Sequence, residues 1–511
     1  MQLNVLGYLE NGGLNRCPQK VAIIDGGQKF TFEQLFSYGE RIAAHILERD
    51  AIRIGPVAVF LPKCAYTVLS DLGVLYSGCF YTNLDAKMPV ERLKKLIENL
   101  SPILFITNRE LRSALVSLGI DPTKILCVEE AIERNVAGMA DMMRERRRRV
   151  IDTDPVCIIN TSGSTGVPKS VVMHHRSIID FIDWVLERFE FNPDEVIGSL
   201  SPFYFDIYTL ELFVSLARGS AIDIIPEQMA AFPARLVQYL ADKGVSFIFW
   251  VPTIMVNIAN LDLLKSANLS KLRKVFFAGE VFSTKHLNYW RRQIPHALFV
   301  NLYGPIEITV DCTYFVLDRE FKDDEAIPIG YPCRNTDILI LNEQNRLSAG
   351  SEAGELCVRG SSLALGYWNN PEQTAKAFTV NPLNPHYPET IYRTGDLVCR
   401  NDRGEIMFLG RKDYQIKHLG YRIELAEIET AVLALGDIQN ACVLYYHAKK
   451  EITLFFESSV KLSPGDIRQR LTDRLPKYML PTVFIQLETM PRNPNGKIDR
   501  QHLTETYFKS K

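Results

Sequence analysis

The chain has 511 residues, with 58 Lys plus Arg against 60 Asp plus Glu and a formal net charge of −2, so bulk electrostatics give no case for a nucleic-acid or anionic-membrane partner. Apolar residues make up 47% and charged residues 23%, ordinary globular usage that excludes a largely disordered chain. The ten Cys are irregularly spaced with no CxxC pair, which indicates neither a disulfide framework nor a structural zinc site.

The first residues, MQLNVLGYLENGG, lack a basic region followed by an apolar stretch, so no signal peptide is expected. No uninterrupted apolar run reaches the ~18 residues of a bilayer span, so membrane insertion is not expected. The expected compartment is a reducing cytosol, a cytoplasmic localisation. Thr31-Phe32-Glu33-Gln34 reads as a capping box opening a helix with Leu35, Ile42 and Ile46 on one side. Strands are predicted at 57–61, 103–107, 156–160, 247–250, 275–278 and 298–302. They are rich in Val, Ile and Phe and do not alternate, as strands covered on both faces read. Strand–helix alternation of this kind argues for α/β architecture. The basic run at 144–149 stands alone in a neutral chain and reads as a solvated connection. The texture changes near residue 410. Beyond it lie a helix pattern at 423–435, strands at 441–446 and 452–457, a helix opened by Ser463-Pro464 and a short strand at 483–487. That α+β pattern is large enough for its own small core.

Chemistry first surfaces at Asn160-Thr-Ser-Gly-Ser-Thr-Gly-Val-Pro-Lys169, which holds four hydroxyls, two glycines and a Lys. Glycines let backbone N–H groups turn towards an anion, and hydroxyls add donors. The spacing from Gly163 to Lys169 does not fit the Walker pattern. A surface loop with a solvated Lys is the alternative. Then follow, in order, Phe277-Ala278-Gly279-Glu280, Asn301-Leu-Tyr-Gly-Pro-Ile-Glu307, Tyr392-Arg-Thr-Gly-Asp396-Leu, Gly410-Arg-Lys-Asp413-Tyr-Gln-Ile-Lys417-His-Leu-Gly420-Tyr-Arg-Ile-Glu424 and Asn495-Gly-Lys497-Ile-Asp.

Together these segments resemble the adenylate-forming superfamily of acyl-CoA ligases, luciferases and nonribosomal peptide synthetase adenylation domains. The resemblance implies a large N-terminal α/β AMP-binding domain over 1–411 and a small mobile C-terminal α+β domain over 412–511, with a hinge near Asp413 and the active site in the cleft between them. It implies ATP and Mg²⁺. Thr161, Ser162, Gly163, Ser164, Thr165, Gly166 and Lys169 would grip the β- and γ-phosphates. Gly279, Asn301 and Tyr303 would line the adenine site. Asp396 would accept from both ribose hydroxyls, and Arg411 would reach the ribose and phosphates. Glu307 would be the catalytic Mg²⁺ ligand. Lys497 would bridge substrate carboxylate, α-phosphate and ribose, with Lys417 a secondary catalytic candidate. Two positions depart from the family pattern: Ile306 stands where Thr is usual, removing a donor, and Ser170 where Gly is usual.

The segment Ser201-Pro-Phe-Tyr-Phe-Asp206-Ile-Tyr-Thr-Leu-Glu211 resembles the amino-acid-activating branch, where an Asp at this position pairs with the α-ammonium. An unpaired buried Asp would be costly for a fatty or aryl acid. The alternative role for Asp206 is a helix N-cap. The branch's pocket positions fall on Ile207, Leu210, Phe249, Phe276, Ala278, Leu302, Val310 and Asp311. Most are apolar and several large, suggesting a small neutral substrate such as alanine of either hand or proline. Parts resemble stand-alone D-alanine– or prolyl–carrier protein ligases. The chain ends 14 residues after Lys497, so the acceptor is expected in trans, as the phosphopantetheine thiol of a separate carrier protein. Cys157, Cys312 and Cys357 lie in apolar segments and read as core. The competing expectations are an acyl- or aryl-CoA ligase and a degenerate nucleotide-binding relative.

Overall fold

The computed structural model describes residues 2–49, 54–134, 138–163, 168–493 and 498–508. The chain separates into two compact units. The larger comprises 1–86, 100–159 and 170–410, and the smaller 87–99, 160–169 and 411–511.

In the larger unit, the helix Phe32–Arg49 opens on reciprocal hydrogen bonds. The Thr31 N–H donates to Gln34 Oε1 (2.8 Å) and the Gln34 N–H to Thr31 Oγ1 (3.2 Å). Two orphan donors are thereby satisfied, as a capping box requires. Leu35, Ile42 and Ile46 are buried in the main core.

The predicted strands form, with ends shifted by two residues or fewer and Phe247–Trp250 unshifted. A nine-stranded sheet runs Tyr331–Pro332, Thr313–Val316, Leu298–Tyr303, Lys274–Phe277, Phe247–Trp250, Val196–Ser199, Ala221–Ile224, Val21–Asp25, Gln28–Thr31. From Leu298–Tyr303 to Val21–Asp25 neighbouring strands are parallel, and both edges are antiparallel. From Val196–Ser199 the chain steps to Ala221–Ile224 on one side, then crosses back to Phe247–Trp250 on the other. Such a reversal opens a crevice beyond the carboxyl ends of the strands, the usual ligand position in open α/β sheets. A seven-stranded sheet holds the predicted strands at Pro56–Val59, Leu104–Thr107 and Pro155–Thr161. Cys157, Cys312 and Cys357 are fully buried, and none of the ten cysteines forms a disulfide.

The basic run closes the helix Ala140–Arg149. There Arg147 pairs with Glu10 (2.8 Å) and Arg149 with Glu145 (2.9 Å), so part of its charge is spent locally. Among the described residues, no helix is long and apolar enough to cross a membrane.

In the smaller unit, a hairpin joins Gln415–His418 to Tyr421–Glu424, followed by the helix Leu425–Leu433. The helix predicted from 423 therefore starts two residues later. Ile423 sits opposite Ile416 in the hairpin, and both feed the core shared by Ile428, Val432 and Leu454. Its apolar spacing fits either period, and the hairpin register decides. The strands Asn440–Tyr446, Glu451–Glu457 and Val483–Leu487 form one sheet. Ser463 Oγ accepts from the Asp466 N–H (3.1 Å) and caps the helix Pro464–Leu471.

Candidate active site

Several sequence-predicted residues of the larger unit, Ala278, Gly279, Asn301, Leu302 and Tyr303 among them, lie at or just beyond the carboxyl ends of the parallel strands. The strand Val196–Ser199, at the reversal, leads into a turn that ends at Asp206. Asp206 occupies the N-cap position of the helix Ile207–Arg218, yet its side chain makes no capping hydrogen bond. The N-cap reading of this residue is not the one realised. Ile207, Leu210, Phe249, Phe276, Ala278, Leu302 and Val310 are all buried in the main core of the larger unit. Strand register aligns two of them directly: Phe249 lies opposite Phe276, which in turn lies opposite Val300. Asp311 follows Val310 and is buried too.

Beyond Lys274–Phe277 the backbone enters the left-handed region at Gly279 (φ +90°), a conformation that favours glycine. The neighbouring strand Leu298–Tyr303 carries Asn301, whose amide donates to the Pro328 carbonyl (2.8 Å). It also carries Tyr303, whose hydroxyl donates to Asp396 Oδ2. Burial, and then the charge of Asp396, push the Tyr303 hydroxyl far above its ordinary pKa, so it stays a donor. Asp396 reaches it from the strand Thr390–Arg400. At Gly304 a Cβ would lie 2.4 Å from Asp311 Cα and 2.6 Å from Val310 O, so only glycine fits this approach. Glu307 follows in the short turn Ile306–Ile308, fully buried, and its Oε1 accepts from the Tyr367 hydroxyl (2.8 Å). Thr309 and Val310 both adopt positive φ (+59° and +65°), a strained conformation for β-branched residues.

Among the described residues, no three His, Cys, Asp or Glu side chains converge to hold a metal. Glu307 supplies one hard oxygen donor, which suits a Mg²⁺ carried mainly by nucleotide phosphates. Ile306 packs against Val171, Ala364 and Tyr367, so the methyls that replace the usual hydroxyl are used in apolar contact. Ser170 is buried, and its carbonyl accepts from the Trp368 N–H (2.7 Å).

In the smaller unit, Ser162, Gly163 and Lys169 meet the 422–427 segment. The Ser162 hydroxyl donates to Arg422 O (2.6 Å) and accepts from the Glu424 N–H (3.2 Å). The Gly163 N–H donates to Glu427 Oε2 (3.2 Å), and Lys169 Nζ to Glu424 Oε1 (2.8 Å). Arg92 pairs with Glu427 in turn. Thr161 Oγ1 lies 3.5 Å from Lys169 O. Arg411 grips Asp413 through two nitrogens (2.6 and 2.8 Å). Burial pushes the Asp413 carboxyl up, but the hydrogen bond and charge of Arg411 prevail and hold it below its ordinary range. Lys417 is exposed. Ser164, Thr165, Gly166 and Lys497 lie outside the described residues.

Sequence reasoning missed Tyr367 as the partner of Glu307, and it gave Glu424 and Glu427 no role. Tyr367 is 60 residues from Glu307 in the chain, and no local pattern marks such a pairing.

The AMP-binding enzyme family profile matches residues 12–368. Tyrocidine synthase 1 of Brevibacillus parabrevis is 30% identical over 492 residues, which are 96% of this chain and 44% of that protein. The chain spans less than half the length of the first curated relatives it matches. A solved nonribosomal peptide synthetase protein containing adenylation and PCP domains has the same fold, with a TM-score of 0.82 at 24% identity, covering 99% of this chain and 84% of that one. A solved four-domain nonribosomal peptide synthetase bound to AMP and glycine is 27% identical with a TM-score of 0.71, covering 98% of this chain and 36% of that one. The family match spans the motif segments from Asn160 through Glu307 and extends to Tyr367, and this chain belongs to the AMP-binding enzyme family of the adenylate-forming superfamily.

Proposed function

We propose that this protein activates a small or apolar α-amino acid, such as alanine of either hand or proline, as its aminoacyl adenylate. The aminoacyl group then passes to the phosphopantetheine thiol of a carrier protein. The observation that carries this reading is Asp206. It is a half-buried carboxylate after the strand at the sheet reversal, directly preceding Ile207, and Ile207 shares the main core with the other apolar pocket candidates. An α-ammonium is its natural counter-ion. The fully buried rings of Phe249 and Phe276 favour a small side chain over a long one. The relative bound to AMP and glycine supports an amino-acid substrate.

The substrate carboxylate attacks the α-phosphorus of ATP, and pyrophosphate leaves. Catalysis is mainly positioning and charge neutralisation. Asp396, steadied by Tyr303, is oriented to accept from the ribose. Lys169 and the backbone of the Thr161–Lys169 loop would hold the outer phosphates, and Lys497 the transferring group. Mg²⁺, when bound, neutralises phosphate charge, and Glu307 would hold it with the geometry fixed by Tyr367. The thiol then attacks the acyl carbon and AMP leaves.

The test is amino-acid-dependent exchange of labelled pyrophosphate into ATP with Mg²⁺. The panel holds the common amino acids, D-alanine and several aryl and fatty acids. One amino acid well above the rest is expected, and transfer to a separately supplied carrier protein follows. Signal from a des-amino acid alone would transfer the chain to the acyl- or aryl-CoA ligase reading.

A further inference from the structure

Asp71 lies on the helix Ala65–Tyr76, is 0% exposed, and takes no part in the chemistry above. Its Oδ2 accepts from the Tyr208 hydroxyl (2.9 Å) and from Asn83 Nδ2 (3.1 Å). The same Asn83 amide donates to the Phe203 carbonyl (3.2 Å). The rings of Phe203 and Tyr208 stack at 4.1 Å with planes 23° apart. Residues 203 and 208 bracket the turn that presents Asp206. One buried carboxyl therefore ties down both ends of that turn.

Three more polar atoms face inwards without a hydrogen-bond partner among the described residues: Asp71 Oδ1, Asn83 Oδ1 and the Tyr81 hydroxyl. A cavity of about 10 Å³, room for one water-sized molecule, is lined by Tyr81, Asn83, Phe203 and Tyr208. A polar network of this kind is costly to bury. A simply apolar anchor would hold a helix in place without it.

We propose that Asp71 is a positioning residue for substrate recognition: through Tyr208 directly, and through Asn83 on the Phe203 carbonyl, it fixes the turn that aims Asp206 at the α-ammonium. The proposal rests on the amino-acid reading above. It predicts an effect confined to groups that use Asp206. Loosening the turn weakens amino-acid binding and leaves nucleotide binding alone.

The experiment measures KM and kcat by pyrophosphate exchange for wild type, Asp71→Leu, Asp71→Asn and Tyr208→Phe. The probe is whichever of L-proline, D-alanine or L-alanine the screen selects, run beside its des-amino analogue. Loss of both hydrogen bonds gives an expected rise in amino-acid KM on the order of tenfold or more for Asp71→Leu. Asp71→Asn, which keeps an acceptor for both donors, recovers most of it. Tyr208→Phe keeps the ring stack and loses one bond, so its KM rises by about threefold to tenfold. KM for ATP and turnover of the des-amino analogue stay unshifted. If Asp71→Leu does not fold, Tyr208→Phe carries the test. An unchanged amino-acid KM in Tyr208→Phe, or a parallel rise in KM for ATP, overturns the proposal. Wild type silent with every amino acid would overturn the functional reading instead, before any variant is made.

Discussion

The Lys169 ammonium donates to Glu424 Oε1 across 2.8 Å, and both side chains are only 12% exposed. A lysine that is proposed to hold phosphate is thus paired with a carboxylate, an anion of similar demand. Gly163 repeats the arrangement with Glu427. If the proposed phosphate role holds, the two glutamates occupy donors that a triphosphate would use. Glu424→Gln removes one competitor, and KM for ATP is expected to fall by about threefold, whereas Lys169→Ala raises it on the order of tenfold or more. Exchange assays at varied ATP read both. Equal KM values in wild type and Glu424→Gln would show that the pair does not compete.

Asp206→Ala should abolish use of the amino acid while sparing des-amino acids. The expected loss in kcat/KM is at least about 10²-fold, since a partly buried charge loses its partner. Undiminished amino-acid activity would refute the role given to this carboxylate.

Gly304→Ala drives a methyl into the backbone of Val310 and Asp311. The Ile308 side chain (2.7 Å) could yield, but the two nearer atoms are backbone, so the segment that carries Glu307 and Val310 must shift. Activity should fall by about 10²-fold or more, as for a misplacement near 1 Å. Gly27→Ala, where an added Cβ meets nothing within 4 Å, is the matched control. Comparable activity in the two variants would contradict the close approach.

Burial pushes the Asp71 carboxyl up to about 8, against the pull of hydrogen bonds from Asn83 and Tyr208. Unfolded, it titrates at about 4. Between these values the native state holds a proton that the unfolded state has lost. The stability this contributes is complete below about pH 4 and drains away as pH rises through 8. Tyr208, Tyr81 and Cys157 face the group, and burial raises all three, so none of them titrates in that window. Asp71→Asn has no proton to lose. Its melting temperature should gain on wild type from about pH 5 to pH 8 and then level off. A constant difference across that range would show that Asp71 is ionised in the folded protein.

Much of the fold was legible locally. The capping box at Thr31 and Gln34 spans four residues, so sequence alone carries the complete signal. Strands such as Phe247–Trp250 declare themselves because both faces are covered, and every position must then be apolar. The spacing of apolar residues could not place the start of the helix Leu425–Leu433, because Ile423 satisfies a strand period as well as a helical one. Only its pairing with Ile416 settles which.

For the site, the ordered motifs determined the family and the apolar character of the cluster around Phe249 and Phe276. The residues that hold those motifs in place came from the fold. Tyr367 reaches Glu307 from 60 residues away and Tyr208 reaches Asp71 from 137. Glu424 reaches Lys169 from 255. The sequence by itself determined the elements, their order and the chemistry each motif can offer, because those depend on neighbours a few positions apart. Which carboxylates are buried, and which donors meet them, was decided by tertiary structure alone, because burial and hydrogen bonding at such separations exist only once the sheets and helices have packed.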